Sequence, residues 1–265
     1  MDSCKTKENN RKIKLASILE RSYSPLKNSL RLSNQLKDIN NILTDDESNY
    51  TADTNIYSQY SKLITDYSYG ERIIKPLLVD KFINEYDGLA FEVVCNTSRI
   101  DLITFNQNLS IGFEIKSRFD SLGKLNKQIE DYQKIFNHLY VVLDENHYSK
   151  IINHVNDNVG LILFCKSKTK NPLETLRKPK LNEPEIIARL NFMTKLERVK
   201  FFNESCFNSI IQQFKKSDID KVFHQILCHR YQEKSNFLIS VRDRIQKIDY
   251  QYFFKNNIDP SIIYR

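Results

Sequence analysis

Apolar residues recur along the chain with two different periods, one typical of helices and one typical of strands. Residues 13–43 and 61–85 carry apolar side chains three and four positions apart, which predicts amphipathic helices. The turn signal Ser-Tyr-Gly at 68–70 is expected to break the second stretch. Residues 1–12 are polar and are predicted to be frayed. The acidic segment 44–60 is predicted to be a loop.

The middle of the chain has a period of two instead. Residues 89–96, 99–105 and 110–116 are short and rich in β-branched and aromatic side chains, and the joins between them are of hairpin length. They predict an antiparallel meander of three strands. A helical spacing follows at 120–137, with Asp120 as the expected N-cap.

Two continuous apolar runs, 139–144 and 159–165, are typical of buried strands. Because a helix separates the third strand from the first of these runs, a parallel crossover connection is expected. The pattern therefore predicts a mixed α/β core with helical flanks. The expected organisation is a helical extension over 1–60, the core over 61–166, a basic linker over 167–184 and a helical region over 185–265.

Composition and charge narrow the function classes. The chain has 265 residues, with 40 Lys and Arg against 33 Asp and Glu, so its formal net charge is +7. Basic proteins attract polyanions, above all nucleic acid. No GxGxxG or GxxxxGK[ST] motif is present, which argues against a glycine-loop nucleotide site. Five cysteines without a CxxC pair argue against a zinc site of the usual spacing and against a disulfide framework.

The chain has no apolar run that approaches the ~20 residues needed to span a bilayer. Its first residues also lack the apolar segment of a signal peptide. We therefore expect a cytoplasmic protein without a membrane partner.

The predicted meander carries charged side chains where a strand would normally have apolar ones. Pairing of its second and third strands can bring Asp101 beside Glu114. Two adjacent carboxylates repel each other unless a cation lies between them, and such oxygen ligands suit Mg²⁺ or Mn²⁺. Lys116 would lie beside the metal, where it could orient a water or offset charge on a phosphoryl group. Gln128 and Tyr132 share one face of the following helix and can bind phosphate oxygens or simply pack on the sheet.

The order of these motifs resembles the PD-(D/E)xK nuclease superfamily over about residues 71–165. More specifically, four segments look like the sce7726 family of that superfamily: RID at 99–101, GFEIKSRFDSL at 112–122, KLNKQIEDY at 124–132 and LYVVLDENH at 139–147. The Gln-x-x-x-Tyr element is also similar to that of RecB-type nuclease domains. In the PD motif of the superfamily a proline precedes the aspartate, whereas in this chain Ile100 precedes Asp101.

The resemblance implies a restriction-endonuclease-like αβββαβ core, a divalent metal and hydrolysis of nucleic-acid phosphodiester bonds. Asp101 and Glu114 match the metal ligands of the superfamily, and Lys116 matches its catalytic lysine. Gln128 and Tyr132 match the helix motif. An additional acid on the first helix is expected at Glu71, with Glu85 as the alternative.

The predicted function is that of a Mg²⁺- or Mn²⁺-dependent nuclease, with DNA as the expected substrate. The alternative is a catalytically inactive module of the same fold that binds nucleic acid or acts as a scaffold. The basic segment at 166–180 could follow a phosphate backbone or serve as a tether. His147 is expected to be a turn or cap residue, although it also falls within the family resemblance. An antiphage-defence effector and a mobile-element protein both remain open, as does the oligomeric state.

Overall fold

The computed structural model of the protein describes residues 2–40, 42–43, 55–152, 155–168 and 170–264, and of residues 2–9 and 40 it gives the backbone only. These residues form two compact units. The first contains residues up to 76 together with those from 237 onward, and the second contains residues 77–236. No helix within the described ranges is long and apolar enough to cross a membrane.

The regular structure of the first unit, within its described residues, is helical. Its elements are α1 (Asp2–Ser22), α2 (Ser29–Asn40), α3 (Ile56–Tyr67), the start of α4 (Glu71–Phe82) and, from the carboxyl-terminal part, α11 (Tyr250–Asn256) and α12 (Pro260–Ile263). A buried carboxylate, Asp249, ties these segments together. It accepts hydrogen bonds from the hydroxyls of Tyr23 (2.5 Å) and Tyr264 (2.7 Å) and from the Arg72 guanidinium (3.2 Å).

Two predictions for this unit need correction. Residues 1–12, predicted to be frayed, are helical from Asp2 onward, as the first part of a helix that continues into the apolar periodic stretch from residue 13. Residues 56–60, predicted as part of a loop, open α3, because the Asn55 side chain caps it by accepting from the Tyr57 backbone N at 2.9 Å. Residues 44–54 of that predicted loop lie outside the described residues. The predicted break at 68–70 is confirmed, since α3 ends at Tyr67 and α4 begins at Glu71.

The second unit is built on a six-stranded mixed sheet. Its strands are β1 (Gly88–Cys95), β2 (Ser98–Phe105), β3 (Ser110–Lys116), β4 (His138–Asp144), β5 (Gly160–Phe164) and β6 (Leu173–Arg177). They are ordered β1-β2-β3-β4-β5-β6, with antiparallel pairing from β1 to β3, parallel pairing from β3 to β5, and antiparallel pairing of β5 with β6. The predicted meander and the predicted parallel crossover are both confirmed.

The sixth strand corrects the prediction of a basic linker over 167–184. Leu173 is buried and pairs with Phe164 of β5, and the Cys165 backbone N donates to the Pro172 carbonyl at 2.9 Å. The other side chains of β6 are exposed or only partly buried, as is common at a sheet edge. With a single buried apolar residue, this strand has no apolar periodicity in the sequence.

Helix α5 (Leu125–Gln133) connects β3 to β4 and is shorter than the predicted helix over 120–137. Lys124, not Asp120, occupies its N-cap position. The Asp120 carboxylate instead accepts a hydrogen bond from the backbone N of Ser117 at 2.8 Å. Asp120 therefore closes the turn after β3 and does not cap the helix.

Close packing around β3 depends on Gly112. A Cβ at this position would lie 2.4 Å from Cδ1 of Ile100 and 3.2 Å from Cδ2 of Phe136. The next residue, Phe113, stacks on Tyr140 of β4 with ring centroids 5.4 Å apart. This packing fixes the strand that carries the candidate site residues.

Helices follow β6, as predicted for 185–254: α7 (Ile186–Phe192), α8 (Lys195–Phe202), α9 (Phe207–Gln213) and α10 (Lys216–Val241), whose last residues belong to the first unit. A short helix, α6 (Tyr148–Ile151), lies between β4 and β5. Arg189 of α7 is fully buried. Its guanidinium pairs with Asp220 at 2.6 Å, donates to the Ile135 carbonyl at 3.0 Å and lies over the Phe223 ring. One side chain therefore attaches both α7 and α10 to the segment between α5 and β4.

Candidate functional site

Asp101 and Glu114 occupy neighbouring positions on paired strands. Leu102 of β2 lies opposite Phe113 of β3. Because the strands are antiparallel, the next opposing positions are Asp101 and Glu114. The backbone N of Ile115 donates to Asp101 Oδ2 at 2.7 Å, which holds the Asp101 carboxylate against β3. Both acids are buried, with exposures of 8% and 2%. Buried carboxylates at facing positions of two strands are costly unless positive charge lies beside them.

Lys116 supplies positive charge at this point. Its ammonium lies 2.7 Å from Oε1 of Glu114, two residues earlier on the same face of β3, and 2.9 Å from Oε1 of Gln128. The Lys116 side chain is itself only 9% exposed. A buried ammonium that donates to a carboxylate and to an amide oxygen has a fixed position, because losing the carboxylate would leave buried charge unpaired and losing the amide would leave a buried donor unsatisfied.

Helix α5 brings Gln128 and Tyr132 to the site from one face. Gln128 binds the ammonium of Lys116, and Tyr132 is fully buried one turn later. Burial raises the pKa of the Tyr132 phenol far above its usual value, and the negative charges of Glu114 and Asp101 raise it further. The phenol is therefore neutral at ordinary pH and available as a hydrogen-bond donor. Five of the six predicted site residues thus come together within the second unit.

A further acid at the site, Glu92, was missed by the sequence reasoning. It lies in β1 between the pairs Phe91–Leu102 and Val93–Ile100, with a positive φ of 55° that is unusual for a residue with a side chain. One of its carboxylate oxygens lies within 4.8 Å of an oxygen of Asp101.

Arg99 partly neutralises Glu92, since its Nε lies 2.7 Å from Glu92 Oε2. Arg99 is mostly exposed, so this ion pair is screened by solvent. The available signal was that Glu92 is the single charged residue of the apolar segment LAFEVVC. Its approach to Asp101 depends on a backbone conformation that alternation does not predict.

The two candidates for an additional helix acid stand at the start of α4 and just after its end. Glu71 begins α4 in the first unit, and its carboxylate pairs with Lys75 at 2.8 Å. Glu85 is exposed in the turn after α4, where its backbone N donates to the Phe82 carbonyl. A role for Glu71 in the site of the second unit stays a prediction.

His147 lies in a short 3₁₀ turn after β4, consistent with the expected turn role, and is buried. Its Nε2 lies 2.9 Å from the carbonyl oxygen of Ser117, so this nitrogen carries the proton and donates. Because Ser117 follows Lys116 directly, His147 fixes the backbone at the end of β3.

The basic segment at 166–180 uses part of its charge within the fold. Lys168 pairs with Glu174 at 2.5 Å. Arg177 pairs with Asp157 at 3.0 Å and donates to the Val159 carbonyl at 2.9 Å. These contacts attach β6 to the β5 region, so the two cations serve the sheet.

Comparison with known proteins places the chain in a family. Residues 62–253, well over half of the chain, match the family model described as "Bacteriophage P4 protein cII". The chain is 26% identical over 161 residues to "Protein cII" of Enterobacteria phage P4, and the match covers 56% of this chain and 61% of that protein's length.

A solved structure, described as "SPO1766 protein of unknown function from Silicibacter pomeroyi", is 15% identical with a TM-score of 0.36, covering 48% of this chain and 82% of that one. From the match of the family model over residues 62–253, the chain belongs to the bacteriophage P4 protein cII family.

Proposed function

We propose that the second unit is a divalent-metal-dependent nuclease that hydrolyses phosphodiester bonds of nucleic acid, with DNA as the expected substrate. The proposal rests above all on Lys116, whose buried ammonium bridges Glu114 and Gln128 beside the carboxylate of Asp101. A purely structural sheet has no need of this much charge in its interior, because apolar residues would fill it at lower cost. The order of strands and helix around these residues agrees with the PD-(D/E)xK core suggested by the sequence resemblance.

The residues present fit a divalent metal. Asp101 and Glu114 offer carboxylate oxygens, the ligands that Mg²⁺ and Mn²⁺ prefer, and Glu92 brings a third carboxylate close to Asp101. Asp101 and Glu114 would hold the ion. When bound, it would supply Lewis-acid stabilisation of the charge that develops on the phosphate group.

The remaining side chains have roles that follow from their own contacts. Lys116 can donate to a phosphate oxygen or to the attacking water, because its ammonium has three donors and, among the described residues, two of them go to Glu114 and Gln128. Gln128 holds that ammonium in position. Tyr132 can donate a hydrogen bond as a neutral phenol.

The biological setting is part of the proposal. We infer a cytoplasmic protein, and a relative from phage P4 favours a mobile-element protein over an antiphage-defence effector.

A cleavage assay tests the proposed function. Labelled single-stranded and duplex DNA and RNA are incubated with the protein and Mg²⁺ or Mn²⁺. The wild-type chain should cut at least one of these substrates, and Lys116→Met should cut it at least about 100-fold more slowly, the usual loss for one preorganised donor. Lys127→Met is the matched control, since Lys127 lies on α5 but is exposed and paired with Asp131; its rate should stay within about twofold of wild type.

The opposite outcome is equally specific. If the wild-type chain binds DNA but cuts none of the substrates, the proposed activity is wrong and the inactive binding module is favoured. If Lys116→Met cuts as fast as wild type, the chemistry does not take place at this site.

A further inference from the structure

The chain turns sharply at the end of β3, directly after Lys116. The Asp120 backbone N donates to the Ser117 carbonyl at 3.1 Å, and the Ser117 backbone N donates to Asp120 Oδ2 at 2.8 Å. The Ser117 hydroxyl donates to the same carboxylate oxygen. Residues 117–120 therefore form a β-turn that is closed by both backbone and side-chain hydrogen bonds.

The turn is also held from the end of β4. His147 donates to the Ser117 carbonyl at 2.9 Å, and Nε of Arg118 lies 3.4 Å from Oδ1 of Asp144, which is 1% exposed. Ser117 and Arg118 are thus attached to buried groups at the end of β4 and in the turn that follows it. The backbone of the turn has little freedom to move.

Phe119 lies at the tip of this fixed turn with its ring in solvent. Its exposure is 56%, whereas the phenylalanines of the sheet, such as Phe113, are buried. Space around the following loop is open, because a Cβ on Gly123 would meet nothing within 4 Å. A single exposed apolar residue is common on protein surfaces and needs no explanation by itself. An exposed ring on a backbone fixed from two strands, next to a proposed catalytic lysine, is a different case.

The surroundings of Phe119 suit a nucleotide. Three residues span at most about 11 Å, so Phe119 lies within reach of a group bound at Lys116. Successive stacked bases of one strand are ~3.4 Å apart, so a distance of about 11 Å corresponds to about three nucleotides. Lys124, exposed at the start of α5, adds positive charge to the same loop. Flat aromatic faces beside cations are the usual means of binding unpaired bases.

We propose that Phe119 is a stacking platform for an unpaired base within about three nucleotides of the phosphate that is cut, so that the substrates are single strands or duplexes with frayed or flapped ends. This inference rests on the proposed function, because it takes Lys116 as the position of the scissile phosphate. A base held within a duplex is stacked on both sides and cannot present its face to the ring. The fixed turn lowers the entropy cost of the contact, since the platform need not be ordered on binding.

The chain contains no tryptophan, so Phe119→Trp would place a single tryptophan at the platform, which can be excited selectively over the tyrosines. The fluorescence is titrated with oligothymidylate and with a blunt duplex in EDTA, which prevents metal-dependent cleavage. The single strand should quench the emission and the blunt duplex should not. Leu196→Trp is the control, because Leu196 is 81% exposed on α8; its emission should not change.

Affinity measurements on the remaining variants complete the test. Phe119→Ala and Phe119→Leu should weaken binding of the single strand about 5- to 150-fold, while Phe119→Tyr should bind as wild type does. Leu retains an apolar surface without a ring, so it separates stacking from simple hydrophobic contact. Thermal unfolding of each variant should match wild type, because the ring contributes little burial.

Three results would overturn the platform: no binding of single strands by wild type, equal affinity of Phe119→Ala and wild type, or quenching by duplex as strong as by single strand. Failure of the nuclease proposal looks different. In that case Phe119→Trp would still be quenched by single strands, but no substrate would be cut in Mg²⁺ or Mn²⁺.

Discussion

Asp101→Asn provides a test in which stability and activity should change in opposite directions. The substitution removes a negative charge from a buried group but leaves an amide oxygen that can still accept from the Ile115 backbone N. A carboxylate oxygen of Glu92 lies within 4.8 Å of an oxygen of Asp101. Glu114 occupies the position opposite Asp101 in the register of β2 and β3. The free energy of unfolding without metal should therefore not fall, although a buried polar group is altered.

The magnitude follows from the geometry. Two unit charges 4.8 Å apart repel by about 3.5 kcal/mol at an effective dielectric constant of 20 and by about 0.9 kcal/mol in water. Arg99 offsets part of this repulsion, and the hydrogen bond from Ile115 to a neutral oxygen is weaker by about 1 kcal/mol than to a carboxylate. We expect Asp101→Asn to gain about 1 kcal/mol in EDTA, which raises the Tm of a domain of this size by about 2–4 °C.

The assay is thermal unfolding in EDTA and in saturating Mg²⁺, combined with cleavage. Wild type should gain about 2.7 kcal/mol from Mg²⁺ at 100 times its Kd, and Asp101→Asn should lose most of this gain together with cleavage. Asp131→Asn is the control, because Asp131 accepts from Ser98 at 2.6 Å and pairs with Lys127 at 3.8 Å. It should not be stabilised in EDTA. A clear destabilisation of Asp101→Asn in EDTA would refute the reasoning that these carboxylates repel each other.

Two further predictions concern the stability of the second unit. Gly112→Ala should lower the free energy of unfolding by about 1–3 kcal/mol, because the added Cβ would lie 2.4 Å from Ile100; an unchanged midpoint in urea unfolding would contradict this. Burial and the charge of Arg189 lower the pKa of His224 from 6.5 to about 4 in the folded chain. Between these values the unfolded chain binds a proton that the folded chain does not, so stability should fall as the pH drops from 6.5 to 4, by up to about 3 kcal/mol. In His224→Gln the dependence of urea midpoints on pH should flatten over this window, and an unchanged slope would count against the assigned shift.

The strands and the first five site residues could be predicted because each leaves a local pattern. β1 to β5 are apolar runs or alternations, and their joins are short. Glu114 and Lys116 share a face through a spacing of two, and Gln128 and Tyr132 through a spacing of four. Once β2 and β3 pair, Asp101 follows from the register.

The features that were missed depend on contacts distant in sequence or on unusual backbone. β6 is an edge strand with Leu173 as its one buried side chain, so it carries no periodic signal. Glu92 approaches Asp101 through a positive φ. Asp120 does not cap the helix as predicted, because its carboxylate accepts two hydrogen bonds from Ser117 in the turn after β3. That the chain from 237 onward belongs with residues up to 76 rests on Asp249 and its partners, which no local pattern brings together.

The central claim is that Asp101 and Glu114 hold a divalent cation beside Lys116. Crystals of the chain soaked in Mn²⁺ and measured at a wavelength where manganese scatters anomalously test it most directly. Wild type should show an anomalous peak in contact with carboxylate oxygens of Asp101 and Glu114, and Asp101→Asn should show no peak there. A saturating soak that gives no peak at these residues, or a peak only at other acids, would contradict the claim.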